Sequence, residues 1–148
     1  MPIAVEIVSK ERKVFEELEA DMIVVPASEG IMGVLPHHAP VLTTLGYGEL
    51  IVRKGAAEER FAIYGGVVDV RPTKVTVLAE LAESSFELDI EAIDHAREEA
   101  ARMMAEGKAG LSEAARQQIT LALRRAELAH KIVSRTQSRP GIRIVEQE

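Results

Sequence analysis

The chain has 148 residues, 47% of them hydrophobic and 28% charged, with a formal net charge of −6 and no cysteine. That length suits one domain, or a small domain with an appendage, and the missing cysteines exclude disulfides, thiolate catalysis and cysteine-based zinc sites. With aromatics at 3% and no tryptophan, the chain lacks the stacking platforms of nucleic-acid binders, so no nucleic-acid partner is expected.

In chain order, the first ~86 residues read as strands. Ala4-Val5-Glu6-Ile7-Val8 alternates apolar and polar side chains, the signature of a half-buried strand. Met22-Ile23-Val24-Val25 is rich in β-branched residues and runs up to Pro26. Leu50-Ile51-Val52-Arg53 and Phe61-Ala62-Ile63-Tyr64 flank the turn-like Lys54-Gly55-Ala56-Ala57. Val67–Val70 and Lys74–Leu78 flank Arg71-Pro72-Thr73, where proline presets the turn. Gly65-Gly66 marks a bulge or a close approach between strands. Short strands punctuated by glycine and proline, with no long helix between them, predict an antiparallel sandwich or barrel.

From Asp89 the hydrophobic period changes to that of a helix. Asp89 is the expected N-cap, and Ile93, Ala96, Ala100 and Met103 or Met104 recur on one face. Gly107-Lys108-Ala109-Gly110 breaks the run, and Ser112 caps a second helix with a seam of Ala115, Ile119, Ala122, Ala126, Ala129 and Val133. An alanine seam buries little apolar area, so the hairpin is expected to be marginally docked: either a static cap or a movable arm. Residues 1–111 hold 11 Lys/Arg against 20 Asp/Glu, whereas residues 112–148 hold 7 against 4. An acidic body thus carries a basic arm. Thr136-Gln137-Ser138-Arg139-Pro140-Gly141 ends the helix, leaving a tail with one short candidate strand, Ile142–Val145. The expected organisation is 1–87, 88–135 and 136–148.

Catalytic chemistry is not legible. No phosphate-cradling glycine loop and no nucleophile elbow occur. His37 and His38 are adjacent and point to opposite sides of a strand, so they are poorly placed to share a metal. No catalytic residue, metal or required cofactor is therefore expected, and a small metal enzyme built on either histidine is the residual catalytic reading. No apolar run reaches ~18 residues, so no direct membrane insertion is expected. The first residues lack the basic flank and apolar stretch of a secretory leader, so the protein is expected to stay where it is made.

The segment Ser28-Glu29-Gly30-Ile31-Met32-Gly33-Val34-Leu35-Pro36-His37-His38-Ala39-Pro40-Val41-Leu42-Thr43 closely resembles the signature of F-type ATP synthase epsilon subunits. Gly48 and Leu50, Gly65-Gly66 with Val68-Asp69-Val70, Val75–Ala79 and Ile93-Asp94-His95-Ala96-Arg97 match further family motifs in the same order. His37 stands where relatives usually carry Gly or Asn, and Ile31 where some carry a polar or acidic residue.

The resemblance implies a ten-stranded N-terminal sandwich followed by an α-helical hairpin, in a non-catalytic rotor subunit of a proton-translocating ATP synthase. Its implied partners are the gamma subunit, the ring of c subunits and, when the arm extends, the alpha and beta catalytic subunits. Its implied place is peripheral, on the cytoplasmic face of the cell membrane. By position, Glu29, Gly30, Ile31, Met32 and Gly33 form the ring-facing loop, with His38 nearby. The arm is implied to inhibit ATP hydrolysis, and Arg116, Arg124, Arg125, Lys131 and Arg135 offer it a basic face. Some relatives bind regulatory ATP on the folded hairpin; Asp94 and Arg97 match that motif in part, Glu98 replaces its final Ala, and Arg124 and Arg125 are the second-helix partners. A free-standing adaptor of the same architecture is the alternative.

Overall fold

Alternation along the first strand sets the pattern for the sheet. In the computed structural model, which describes residues 2–85, 88–107, 110 and 112–136, β1 (Ile3–Ser9) turns Ile3, Val5 and Ile7 inward, each fully buried. The strands that follow are β2 (Lys13–Ala20), β3 (Met22–Ala27), β4 (Gly30–Val34), β5 (Val41–Lys54), β6 (Ala57–Val70), β7 (Lys74–Ala79) and β8 (Ala82–Ser84). They form one sheet path, β2-β1-β7-β6-β5-β3-β4, with β8 paired to β6. The path folds over on itself, because β2 touches β5 and β8 without a ladder to either. The result is sandwich-like, and a single core runs from Ile3 and Phe15 through Val25, Leu50 and Phe61 to Val77.

Eight strands are present among the described residues, against the ten implied by the resemblance. The difference lies in β5 and β6, each 14 residues long. Phe61–Tyr64 and Val67–Val70, expected as two strands, are one continuous strand bent at Gly65 and Gly66, with φ of +80° and +130°. A Cβ on Gly66 would lie 2.2 Å from the Leu78 carbonyl oxygen, so β7 can approach here only because the side chain is missing. The sheet is also mixed, since β1 runs parallel to β7 while its other ladder, to β2, is antiparallel.

Both expected turns close their hairpins. Arg71 N–H donates to the Lys74 carbonyl at 2.8 Å. Lys54 pairs with Ala57 around Gly55, at φ +58°, and the Gly55 N–H donates to Asp21 Oδ2 at 2.6 Å. Pro26 does not end its strand. It sits inside β3 at a register irregularity in the ladder to β5, the kind of position where a missing N–H is tolerated.

Two helices follow, α1 (Ile90–Glu106) and α2 (Glu113–Thr136). Asp89 Oδ1 accepts from the N–H groups of Glu91 and Ala92 at 3.0 and 3.5 Å, and Ser112 Oγ accepts from Ala115 N–H at 3.1 Å. Each cap satisfies donors that the first helical turn leaves open. The interhelical seam gathers Ile93, Ala126 and Ala129 with Leu88 and Val133, while Ala122 remains exposed. A second contact joins α2 to the sheet: Ile132, fully buried, packs with Ala62 and Tyr64, flanked by Leu81 and Leu128. The expected tail from 137 onward, including Ile142–Val145, lies outside the described residues.

Candidate functional site

The five residues expected as a ring-facing loop are a turn and an edge strand. Glu29 lies in the turn, Gly30 opens β4 with φ +145°, and among the described residues β4 pairs only with β3, from Ala27–Gly30 to Ile23–Val34. Strand alternation then separates neighbours: Ile31 is 81% exposed, whereas Met32 packs against the main core. His38 follows β4 in the connection to β5, outside the strand itself. Its Nδ1 lies 2.7 Å from the Ala39 carbonyl, and neighbouring His37 donates its N–H to the Pro72 carbonyl at 2.8 Å.

The four residues expected around a nucleotide are likewise divided. On α1, Arg97 lies 3.4 Å from Asp94 Oδ1, which also meets His130 Nδ1 of α2 at 3.1 Å. Arg124 and Arg125 turn toward the sheet instead. The Arg124 guanidinium lies 5.0 Å from the centre of the Tyr47 ring, and that of Arg125 lies 4.9 Å from the centre of Tyr64. Arg125 also reaches Glu83 Oε1 at 2.9 Å. The two tyrosines meet edge to face, 5.5 Å between centres and 77° between planes. A cleft of about 450 Å³ separates the hairpin from β6 and β8; Arg125, Glu83, Tyr64 and Ile93 line it, but Asp94, Arg97 and Arg124 do not.

Burial pushes the Tyr64 hydroxyl up to about 12, and the charge of Glu83 adds to this while Arg125 opposes it. The phenol therefore stays neutral through the physiological range, an apolar wall with a cation on its face. On the basic side of α2, Arg116, Arg124 and Lys131 are exposed, and Arg124 and Lys131 line a second cleft of about 670 Å³ against Glu29, Ile31 and Tyr47. The Arg135 side chain lies outside the described residues.

Sequence reasoning missed Tyr47, Tyr64, Glu83, His130 and Ile132. The tyrosines had a signal: counting back from the Lys54–Ala57 turn pair puts Tyr47 directly opposite Tyr64. Ile132 had none, because it stands off the alanine seam. Among the described residues no group of three or more His, Asp or Glu side chains is placed to hold a metal, and no helix is long and apolar enough to cross a membrane.

Comparison with known proteins adds the family. Residues 2–85 match the ATP synthase, Delta/Epsilon chain, beta-sandwich domain. The ATP synthase epsilon chain of Dehalococcoides mccartyi is 38% identical over 140 residues, covering 95% of this chain and 98% of its own. That of Syntrophobacter fumaroxidans is 44% identical over 134 residues, covering 90% and 97%. Among solved structures, a chain of the Euglena gracilis mitochondrial ATP synthase assembly of OSCP, F1 and c-ring superposes with a TM-score of 0.74 at 26% identity, over 88% of this chain and 80% of that one. A chain of the Tetrahymena thermophila mitochondrial ATP synthase central stalk and c-ring shares the fold, with a TM-score of 0.56 at 14% identity over 90% and 97%. Matched along nearly its whole length, the chain belongs to the ATP synthase epsilon-chain family, a non-catalytic subunit of that complex.

Proposed function

We propose that the sandwich binds the gamma subunit and rests on the ring of c subunits through the β3–β4 tip, at the cytoplasmic face of the membrane and peripheral to it. In this reading the sandwich transmits rotation between ring and stalk, and α1 and α2 form an arm that extends along the stalk and impedes ATP hydrolysis. The observation that carries it is the tip itself. Ile31 is 81% exposed at the sheet edge while its neighbours Met32 and Val34 are anchored in the core, so an apolar contact is presented on a backbone that cannot easily yield. The extended arm would offer Arg116, Arg124, Arg125, Lys131 and Arg135 to the acidic surface of the alpha and beta subunits.

Because the chain has no cysteine, Ile31→Cys gives a single reactive thiol. In the assembled complex, a short cross-linker on that thiol is expected to capture the ring subunit. Capture of gamma alone, or of no partner, rejects this orientation.

Regulatory ATP belongs to the same proposal as a ligand of the closed hairpin. Its phosphates would compete with Glu83 for Arg125 and with Asp94 for Arg97. Calorimetric titration of the chain with ATP, repeated with Arg97→Ala, tests this: saturable binding lost in the variant supports it, and no heat up to millimolar ATP rejects it.

A further inference from the structure

The arm's two consecutive arginines are not idle in the docked state. Arg124 and Arg125 stand on two aromatic faces that are themselves locked edge to face, and Glu83 holds Arg125 from the strand beside Tyr64. Tyr47, Tyr64 and Glu83 come from β5, β6 and β8, which the ladders hold together as one rigid platform. On an α-helix, neighbouring side chains diverge by about 100°, yet the long side chains of Arg124 and Arg125 converge on two touching rings, one guanidinium to each.

We propose that Tyr47, Tyr64 and Glu83 form a clasp that grips Arg124 and Arg125 and holds α2 on the sandwich without any ligand. The same two guanidinium groups then cannot serve the docked and the extended arm at once. Closing the clasp engages two cations of the basic face, and extension must first strip them from the rings. This rests on the reading of α1 and α2 as a movable inhibitory arm and names what sets its resting position.

The test removes the clasp from the sandwich side, leaving both arginines of α2 in place. Tyr47 is partly exposed and Glu83 half-buried, so Tyr47→Leu with Glu83→Gln spares the main core. Spin labels on Glu19→Cys and Gln117→Cys, two exposed positions on β2 and α2, report the separation of arm and sandwich in the full chain. Loss of one cation–π contact and one ion pair is expected to raise the open-to-docked ratio on the order of tenfold. A distance distribution indistinguishable from that of the parent overturns the clasp. Arg124→Gln provides a second route: its effect should be smaller in a Tyr47→Leu background than alone, and strict additivity also overturns the clasp. Hydrolysis by the complex reassembled with the Tyr47→Leu, Glu83→Gln chain separates the two ideas. Lowered hydrolysis supports both; labels that part while hydrolysis is unchanged leave the clasp standing and reject the inhibitory arm.

Discussion

At position 37 the backbone takes φ +70° on a residue with a side chain, a conformation that crowds Cβ against the following carbonyl and costs most L-residues about 1–2 kcal/mol. The turn holds it there because the His37 N–H must reach the Pro72 carbonyl, tying the β4–β5 connection to the β6–β7 hairpin. Glycine occupies this region freely but loses more entropy on folding. His37→Gly is therefore expected to stabilise the chain by a net of about 0.5–1 kcal/mol, read as a higher midpoint in urea with an unchanged slope. A lower midpoint would show that the imidazole makes a compensating contact. The sequence carried half of this result: the family pattern of Gly or Asn at the site hinted at a left-handed residue, but only the geometry shows the turn that requires it. Gly66 was more legible, since a paired glycine inside a strand pattern signals close approach, and β7 is what approaches.

At the scale of elements, the change of hydrophobic period near Asp89 marked the two helices and both caps, because a helix face and an N-cap are local features. What local patterns could not show was which second face of α2 is buried. Ile132 follows no repeat visible in the seam, and the platform it meets is assembled from β5, β6 and β8, strands distant in sequence. Tyr64 makes that interface sensitive to base. Its hydroxyl ionises at about 12 in the folded chain, against an ordinary value of 10.0. Between these values the tyrosine of the unfolded chain is ionised while the buried one still holds its proton. The stability contributed by the buried neutral phenol is thus complete below pH 10 and falls as pH rises toward 12. Raising pH through that window is expected to undock α2, seen as loss of the Ile132 contact by spin-label distance. Tyr64→Phe, which keeps the ring and removes the proton, should undock at a higher pH.

Across the whole molecule, two cores of unequal size meet at one face. The main core joins residues from all eight strands. The docking cluster is Ala62, Tyr64 and Ile132 with Leu81 and Leu128 around them, and the α1–α2 seam adds mostly alanine. Burial energy follows apolar area, so the helices stand at the low end of a stability gradient and the strands at the high end. Among the described side chains of α2, Ile132 is the one large one that is fully enclosed, and its removal should act on the first step of that gradient alone. Truncating a buried isoleucine costs about 2–5 kcal/mol. If docking and global unfolding are separate events, Ile132→Ala loses that energy from docking only. Amide exchange in α2 would then accelerate by roughly 30-fold or more, while β1, β6 and β7 keep their protection and the main thermal transition stays in place. If the strands lose protection in step with the helix, the molecule opens as a single unit. An arm that could leave the sandwich without unfolding it would then be ruled out, and with it any control exerted through its release.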